Sequence, residues 1–184
     1  MKPFTLDAGV VLLDEVRASD TLAIYEYCQD PVFEQFLTTP WPYRRQHAEA
    51  FVNEFVPEGW RTGEELTWAL RRHEGAPLLG VIGLRLREMP QLGFWLGAEN
   101  RGHGYMPRAV TAVVDWAFGA GVETVQWECL VPNAASLAVA RKTGFTFDGM
   151  ASATVVSRDG SRPPTWTGLL HATDSREPKP GWPA

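Results

Sequence analysis

The sequence has few cysteines and no long apolar run. Its only cysteines are Cys28 and Cys129, so no disulfide framework is expected, and both should be small buried residues in a reducing compartment. No apolar stretch approaches the roughly 20 residues that span a bilayer. Asp7 and Asp14 interrupt the N-terminal region, which lacks the basic and apolar segments of a signal peptide. We therefore expect a cytoplasmic protein that does not associate with membranes.

The chain also lacks a surplus of positive charge. It has 17 lysine and arginine residues against 22 aspartate and glutamate residues, a net charge of −5, and no block of like charges. Proteins that bind nucleic acid through its phosphates usually carry a basic surface, so no general affinity for nucleic acid is expected. The histidines lie far apart and no cysteine pair accompanies them, which predicts no metal site. These histidines are His47, His73, His103 and His171.

The length and composition are those of one globular domain. A chain of 184 residues can bury on the order of 70% of its unfolded surface. Its apolar share of 45% and charged share of 21% are ordinary values for such a domain. We assign residues 1–173 to this domain. Three prolines fall within residues 174–184, which predicts a mobile C-terminal tail.

Periodicity predicts a set of helices and strands along the chain. Ser19 or Asp20 is expected to cap the first helix, and the segment from Pro57 to residue 65 is expected to be a polar turn. The predicted helices cover residues 20–29, 32–37, 44–56, 107–118 and 134–143. The predicted strands cover residues 9–16, 66–70, 78–87, 92–97 and 123–130, followed by a closing hairpin of 145–156 and 165–171.

Residues 92–118 predict a strand, a glycine loop and a helix in that order. The first six alternate as a strand does, Gly102 and Gly104 free a turn, and apolar residues then recur at helical spacing. A glycine turn that enters a helix directs free N–H groups and the positive end of the helix dipole at one point. With Arg101 and Arg108 on either side, the loop predicts an anion site suited to a pyrophosphate. Taken alone, the glycines equally fit an ordinary tight turn.

Two blocks of sequence resemble a known family. Arg-Gly-His-Gly-Tyr-Met at 101–106 resembles the Arg/Gln-x-x-Gly-x-Gly/Ala signature of the Gcn5-related N-acetyltransferases (GNAT), and its flanks resemble the ribosomal-protein-alanine acetyltransferase (RimJ/RimL) branch. Residues 133–145 are similar to that branch's Asn-x-x-Ser followed by a basic residue and Gly-Phe. Weaker similarity at 29–31 and 166–170 extends the resemblance over most of the chain. Met106 departs from the signature, which prefers a small residue there.

The resemblance implies a fold and a reaction. The expected fold is a single α/β (α+β) domain with a mixed, mainly antiparallel central sheet flanked by helices. The expected reaction is direct transfer of an acyl group, most often acetyl, from acetyl-CoA or another acyl-CoA to a primary amine. A protein or peptide N-terminus and a small-molecule amine both fit as acceptor, and the resemblance mildly favours the first. A homodimer is left open by the sequence.

The resemblance also implies roles for particular residues. The family polarises the thioester with backbone N–H groups of a bulged strand, which here are those of Phe94, Trp95 and Leu96. The other implied cofactor contacts are Arg101, Gly102, His103, Gly104, Tyr105, Met106, Asn133 and Arg141. Many members carry a tyrosine where this chain has Ala140, so Ser136 is expected to hydrogen-bond the departing thiolate, with Asn133 ordering the pantetheine arm or a water. Because asparagine is a favoured N-cap, both could instead only cap a helix.

The acceptor site is less well defined. In the family, the helical region before the second strand forms one wall of the acceptor cleft. The candidate substrate contacts are Phe36, Trp41, Tyr43 and Gln91, although each aromatic residue could equally belong to the core. Gln91 stands where related enzymes often have a glutamate, and its amide nitrogen cannot accept a proton. The general base is therefore left open among a water molecule, Glu88, Glu99, Glu128 and the histidines.

Two alternative functions also fit the sequence. Gln91, Ala140 and Met106 would suit a CoA-binding regulatory or interaction module that has lost catalysis. The glycine loop could instead bind a nucleotide, and the relative effects of CoA compounds, ATP and NAD on stability would separate these alternatives.

Overall fold

The computed structural model describes residues 1–183. They form one eight-stranded sheet and the helices that flank it. The strands are β1 (Leu6–Asp7), β2 (Leu12–Glu15), β3 (Glu65–Arg71), β4 (Gly80–Arg85), β5 (Gln91–Leu96), β6 (Thr124–Leu130), β7 (Thr146–Ser152) and β8 (Pro164–His171). The α-helices are α1 (Thr21–Tyr27), α2 (Pro31–Phe36), α3 (Arg45–Ala50), α4 (Val56–Thr62), α5 (Tyr105–Gly119) and α6 (Ala134–Lys142).

The strands lie in the order β1-β2-β3-β4-β5-β6-β8-β7. Neighbouring strands are antiparallel except β5 and β6, which are parallel. The parallel pair requires a crossover, and α5 supplies it. This architecture confirms the predicted mixed, mainly antiparallel sheet flanked by helices.

The sheet opens between β5 and β6. These strands pair only at Gln91 with Gln126 and at Leu92 with Trp127. Beyond that point, β5 stays paired with β4 as far as Leu96, and β6 stays paired with β8. The facing edges of β5 and β6 therefore diverge and leave a gap inside the sheet.

The two faces of β5 meet different helices. Side chains of a strand alternate between faces, so Gln91, Gly93 and Trp95 share one face. Trp95 contacts Phe33 of α2, with ring centroids 5.4 Å apart. We call this the α2 face. The opposite face packs against α5. Of the residues whose helical spacing predicted an apolar stripe, Val110, Val113, Val114 and Ala117 are buried and Phe118 is partly buried.

Asp20 does not cap the first helix as predicted. Its carboxylate accepts hydrogen bonds from the Arg17 backbone N–H at 2.8 Å and from Arg71 Nη2 at 2.6 Å. Asp14 accepts from Arg71 Nε at 2.7 Å, and the Arg71 side chain is only 3% exposed. A buried guanidinium requires anionic partners. The Asp20 carboxylate therefore serves the turn before α1 and the buried Arg71 together, and makes no capping hydrogen bond to the N–H groups of α1.

The predicted polar turn after Pro57 is also wrong. Phe51–Phe55 forms a π-helical segment that continues directly from α3 into α4, where Pro57 occupies the first turn. A proline inside a helix removes one hydrogen bond of the α-helical ladder, and here it follows a π-helical turn in which the Val56 N–H already bonds to Phe51, five residues back. The helix ends at Gly63, whose φ of 76° is left-handed.

The C-terminal segment, for which mobility was expected, contacts the domain. Arg176 Nη2 lies 3.0 Å from Asp115 of α5. The Trp182 ring packs against Trp127 of β6 and Phe147 of β7, with centroids 5.7 and 5.4 Å away. The segment thus packs directly behind β6.

Two expectations from composition can be compared with the structure. Cys28 and Cys129 are both free and buried, as predicted. None of the helices formed by residues 1–183 combines the length and the apolar character that a membrane span requires.

Candidate functional site

A cavity of about 320 Å³ lies where β5 and β6 part. It is bounded by α2, β5, the loop before α5, the first turn of α5, and α6. The predicted site residues that line it are Phe36, Phe94, Trp95, Leu96, Arg101, Gly102, Gly104, Tyr105, Met106, Asn133 and Ser136. Most of the predicted cofactor contacts are therefore brought together. The cavity lining does not include Trp41, Tyr43, Gln91, His103 or Arg141.

The glycine loop, residues 101–104, presents an open helix terminus to this cavity. Gly102 and Gly104 have left-handed φ values of 80° and 75°, which disfavour any side chain. A Cβ at either position would meet no atom within 4 Å, so the loop faces open space. The N-cap residue of α5 is Gly104, which has no side chain to donate or accept a capping hydrogen bond. The first N–H groups of α5, together with the dipole of a 15-residue helix, can bind a phosphate group there.

The Arg101 side chain connects the glycine loop to the end of β5 and to the residue that caps α2. Its guanidinium donates to the Leu96 carbonyl at 3.1 and 3.2 Å and lies 2.8 Å from Asp30. Asp30 in turn caps α2 by accepting from the Val32 N–H at 2.9 Å. The link between loop and helix was not predicted, although the Gln-Asp-Pro similarity at 29–31 was a signal for it. The charge of Arg101 is therefore shared with a carboxylate rather than free for a ligand.

The other residues of the loop divide between core and surface. Met106 is 3% exposed and belongs to the main hydrophobic cluster, so its side chain turns into the protein. The Tyr105 hydroxyl accepts from Arg72, and the exposed His103 ring stacks on Tyr105 with centroids 5.3 Å apart. Lys142 lines the cavity, whereas the predicted Arg141 does not. Arg72 and Lys142 are the cations that the sequence interpretation missed.

Ser136 is held in the cavity wall by two hydrogen bonds. Its backbone N–H donates to Asn133 Oδ1 at 3.1 Å, so Asn133 is the N-cap of α6. Its Oγ accepts from Trp127 Nε1 at 3.0 Å. An indole N–H can only donate, so this bond leaves the hydroxyl proton of Ser136 available to a ligand. The sequence gave no sign of this role of Trp127, because alternation along the predicted strand 123–130 indicates only that one face is buried.

The Cys129 thiol lies close to Ser136. Burial raises the pKa of Cys129 to about 12, against a smaller lowering by the Ser136 hydroxyl. The thiol therefore stays protonated at neutral pH and donates weakly to the Asn133 carbonyl, 3.7 Å away. Cys129 thus contributes packing rather than a nucleophile.

A row of polar side chains crosses the α2 face where the strands begin to part. Arg85 Nε lies 3.0 Å from Glu65, and its Nη1 donates to Gln91 Oε1 at 3.4 Å. Gln91 Nε2 donates to Glu128 at 2.9 Å. Glu128 also accepts from the backbone N–H of Thr154 at 2.8 Å and from its hydroxyl. Gln91, which replaces the glutamate expected at its position, and Glu128, one of the candidate general bases, are therefore direct neighbours.

The hairpin between β7 and β8 closes over the end of α2. Arg158 in this hairpin donates to the carbonyl oxygens of Leu37 and Thr39, at 3.0 and 2.5 Å, and to that of Glu34. A helix leaves its last carbonyl groups without partners, and a cation suits that end of the dipole. The hairpin and α2 therefore form one continuous wall beside the opening.

The aromatic candidates occupy different places. Phe36 lines the cavity, but Tyr43 is 6% exposed and packs against His47, with ring centroids 5.4 Å apart. Burial raises the pKa of Tyr43, as does its neighbour Cys28. Trp41 is partly buried against the core. Of these three, Phe36 alone reaches the cavity.

The sequence and the fold can now be compared with known proteins. A family model described as "Acetyltransferase (GNAT) domain" matches residues 11–146, which is more than half of the chain. None of the curated protein sequences compared with the chain matches it.

Several solved structures share the fold. A protein assigned as a ribosomal-protein-serine acetyltransferase from Vibrio cholerae is 20% identical, with a TM-score of 0.80 over 93% of this chain and 99% of that one. The Salmonella typhimurium enzyme that modifies the N-terminal serine of ribosomal protein L7/L12 is 18% identical, with a TM-score of 0.73 and coverages of 91% and 99%. The microcin C7 self-immunity acetyltransferase MccE, bound to acetyl-CoA and AMP, is 17% identical, with a TM-score of 0.74 and coverages of 88% and 92%.

Proposed function

Because the chain belongs to the GNAT family of acetyltransferases, we propose that it transfers the acetyl group of acetyl-CoA to the α-amino group of a protein or peptide. The observation that carries this proposal is the gap between β5 and β6, which joins an open helix terminus at one end to the α2 face at the other. Such a gap lets a donor and an acceptor enter from opposite sides and meet inside the sheet.

The residues of the cavity fit acetyl-CoA. Open N–H groups at Gly104 and the first turn of α5 suit its pyrophosphate, and Lys142 adds positive charge. The apolar side chains of Phe94, Leu96 and Val139 suit the pantetheine arm. When bound, acetyl-CoA supplies the activated acyl group, and the protein has only to orient it and stabilise charge.

Ser136 is suited to the leaving group. Trp127 donates to its oxygen and so leaves the hydroxyl proton for another acceptor, and the side chain lines the cavity. A hydrogen bond from this hydroxyl would stabilise the negative charge that develops on sulfur as the thioester breaks. The backbone N–H groups of β5 along Phe94–Leu96 would polarise the carbonyl.

The acceptor is proposed by analogy of fold. Two neighbours are described as an α-N-protein acetyltransferase of ribosomal protein L7/L12 and as an enzyme that modifies the N-terminal serine of L7/L12. An extended N-terminus can enter a gap that a folded side of a protein cannot. A small-molecule amine is the other candidate, because the neighbour MccE is bound to acetyl-CoA and AMP.

A thermal melt is the first test. Acetyl-CoA at about 100 times its dissociation constant should add roughly 2.7 kcal/mol, which raises the midpoint by several degrees because each kcal/mol is worth about 2–4 °C at this size. CoA and succinyl-CoA serve as graded ligands, with ATP and NAD as controls. Stabilisation by ATP or NAD but not by CoA compounds would instead favour nucleotide binding.

Turnover is then measured with peptides that begin with serine or alanine, and with small amines. The expected result is release of CoA with one acetyl group added at the peptide N-terminus, located by mass spectrometry. The matched control is the same peptide with a blocked N-terminus. A protein that binds acetyl-CoA but acetylates nothing in a broad panel would be a CoA-binding module.

A further inference from the structure

The C-terminal segment, here residues 174–182, is attached to several elements of the domain. The guanidinium carbon of Arg176 lies 4.9 Å from the centroid of the Phe118 ring of α5. Lys179 Nζ donates at 2.9 Å to the hydroxyl of the first residue of β7. A Cβ on Gly144, just after α6, would lie only 2.7 Å from the Arg176 Cα, so the segment needs glycine there to approach so closely. The segment therefore follows a defined path across α5, the end of α6 and β7.

This path ends on the tryptophan that bonds to Ser136. The Trp182 ring packs against Trp127 with centroids 5.7 Å apart and an angle of 61° between the ring planes. Gly168 of β8 makes room for both rings, because a Cβ there would lie 3.3 Å from Trp182 and 3.4 Å from Trp127. Trp127, which is 1% exposed, is thus enclosed between β8 and the segment while its Nε1 donates to Ser136 Oγ at 3.0 Å.

Trp182 contributes the shape of its ring rather than a hydrogen bond. Its Nε1 is buried, and no residue among 1–183 accepts a hydrogen bond from it. A buried donor without an acceptor costs free energy, so stability alone would be served as well by phenylalanine. The position therefore requires an apolar ring that fills the space beside Trp127.

Ser136 depends on Trp127 for the orientation of its hydroxyl. A serine hydroxyl proton rotates to suit its surroundings unless a partner restricts it. Because the indole N–H donates to Oγ, the proton of Ser136 must point elsewhere, and this side chain lines the cavity. A Trp127 ring that tilted away would remove the restriction, and the tilt requires the space that Trp182 fills.

We propose that the C-terminal segment orients Ser136 for acetyl transfer, with Trp182 as a positioning residue that acts through Trp127. This inference rests on the proposed function, in which the Ser136 hydroxyl donates a hydrogen bond to the departing thiolate. The docked segment keeps the Trp127 indole against Ser136 Oγ, so the hydroxyl proton stays available in the cavity. Within residues 1–183, the lining of that cavity includes none of 174–182, so the segment acts on the rate without touching either substrate.

The test compares the kinetics of Trp182→Ala with those of wild-type protein, at a temperature at which both are folded. We expect kcat for a peptide with a free N-terminus to fall about tenfold, while both KM values stay within about twofold of wild type. Trp182→Phe keeps an apolar ring beside Trp127 and should recover most of kcat. Glu177→Ala is the matched control, because Glu177 is an exposed residue of the same segment, and it should keep wild-type kinetics.

A double-mutant cycle separates positioning from a general loss of stability. If Trp182 acts through Ser136, its removal from the Ser136→Ala protein should change kcat by less than about twofold, because the group that it positions is already absent. A purely structural role would lower kcat by the same factor in both backgrounds.

A second measurement does not depend on activity. In protein with isotope-labelled tryptophan, NMR follows the exchange of the Trp127 Nε1 proton with solvent. Loss of the Trp182 ring opens the enclosure, so this exchange should be about tenfold faster in Trp182→Ala than in wild-type protein. It should stay slow in Trp182→Phe and in Glu177→Ala.

Three results would each overturn the inference. They are a kcat of Trp182→Ala within about twofold of wild type, an equal loss in the two backgrounds of the cycle, or unchanged exchange of the Trp127 Nε1 proton. The failure of the proposed function is distinguishable, because then the wild-type protein itself would acetylate no amine.

Discussion

The two sides of the gap are built in different ways. One side, which we call the donor side after its proposed role, is formed by the end of β5, the glycine loop and the start of α5, one continuous stretch of about 15 residues that would act through its backbone. The acceptor side, formed by α2, Gln91, Glu128 and the hairpin after β7, comes from four separate stretches. Its side-chain contacts span 37 residues between Gln91 and Glu128 and 124 residues between Arg158 and Glu34.

This difference determines how each side of the gap responds to amino-acid substitutions. Binding through backbone N–H groups depends on the conformation of the chain. It is disturbed only by substitutions that change φ or that place a side chain in the open space beside the loop. A side-chain site depends on the chemistry of each residue, so its specificity can change one substitution at a time. We therefore expect the donor side to fail abruptly and the acceptor side to fail gradually, and the following variants test that contrast.

The largest effect is expected on the donor side, from Gly104→Asp. The new carboxylate would lie at the open terminus of α5 and take the place of the phosphate, so acetyl-CoA should bind about 100-fold more weakly. The melting shift with acetyl-CoA measures this loss. Gly63→Asp is the control, because Gly63 has nearly the same φ, 76° against 75°, and also faces open space. Equal acetyl-CoA shifts in the two variants would mean that the anion does not bind at this loop.

Ser136→Ala removes a side chain of α6 that lines the cavity next to the donor side, and should leave acetyl-CoA binding intact. We expect kcat to fall about 100-fold, as when a preorganised donor to a developing negative charge is removed. The melting shift with acetyl-CoA should persist. Ser136→Thr restores a hydroxyl and should recover most of the rate. Full activity in the alanine variant would mean that Ser136 has only a structural role in α6.

Gly93→Leu addresses the acceptor side alone. A leucine on the α2 face would obstruct the approach to the gap, so the KM for peptide should rise about tenfold. The KM for acetyl-CoA should not change. Gly119→Leu is the matched control, since Gly93 and Gly119 are both exposed and a Cβ at either meets nothing within 4 Å. A rise in both KM values would show that the two sides are not separable at β5.

Trp182→Ala tests what lies behind the donor side. The ring packs on Trp127, which holds Ser136, and its partial burial makes the loss about 2 kcal/mol. The melting midpoint should fall by about 4–8 °C. Glu177→Ala, at an exposed position of the same segment, should not change it. An unchanged midpoint in Trp182→Ala would support the mobile tail expected from the sequence.

The smallest effect concerns the two buried thiols, Cys28 beside Tyr43 and Cys129 beside Ser136. Burial raises the pKa of Cys28 and of Cys129 to about 12. Since the folded pKa exceeds the unfolded value of about 8.5, the associated stability is full below that value and is lost as pH rises toward 12. Iodoacetamide at pH 8 should modify neither thiol until denaturant is added, as mass spectrometry would show. A Cys28→Ala/Cys129→Ala protein should lose less of its midpoint between pH 7.5 and 10. Rapid native alkylation would contradict the burial.

The same contrast explains what the sequence could predict. The glycine loop and α5 were predictable because Gly102, Gly104 and the valines of the helix act within a few residues of one another. Asp20 and Glu128 were not, since their partners Arg71 and Gln91 are distant in sequence, and a carboxylate looks the same whether solvated or paired. Pro57 misled because proline permits both a turn and the start of a helix, and the sequence alone does not decide between them.

The carboxylate of Asp30 contacts both the donor side and the acceptor side of the gap. It caps α2, the wall of the acceptor side, and also holds Arg101, the base of the donor loop. Divergence of the enzyme toward new acceptors through movement of α2 is consequently constrained, because any shift of that helix pulls on the loop that receives the donor. Lineages that alter acceptor choice should do so at the hairpin and at the exposed residues of the α2 face, while the start of α2 stays fixed.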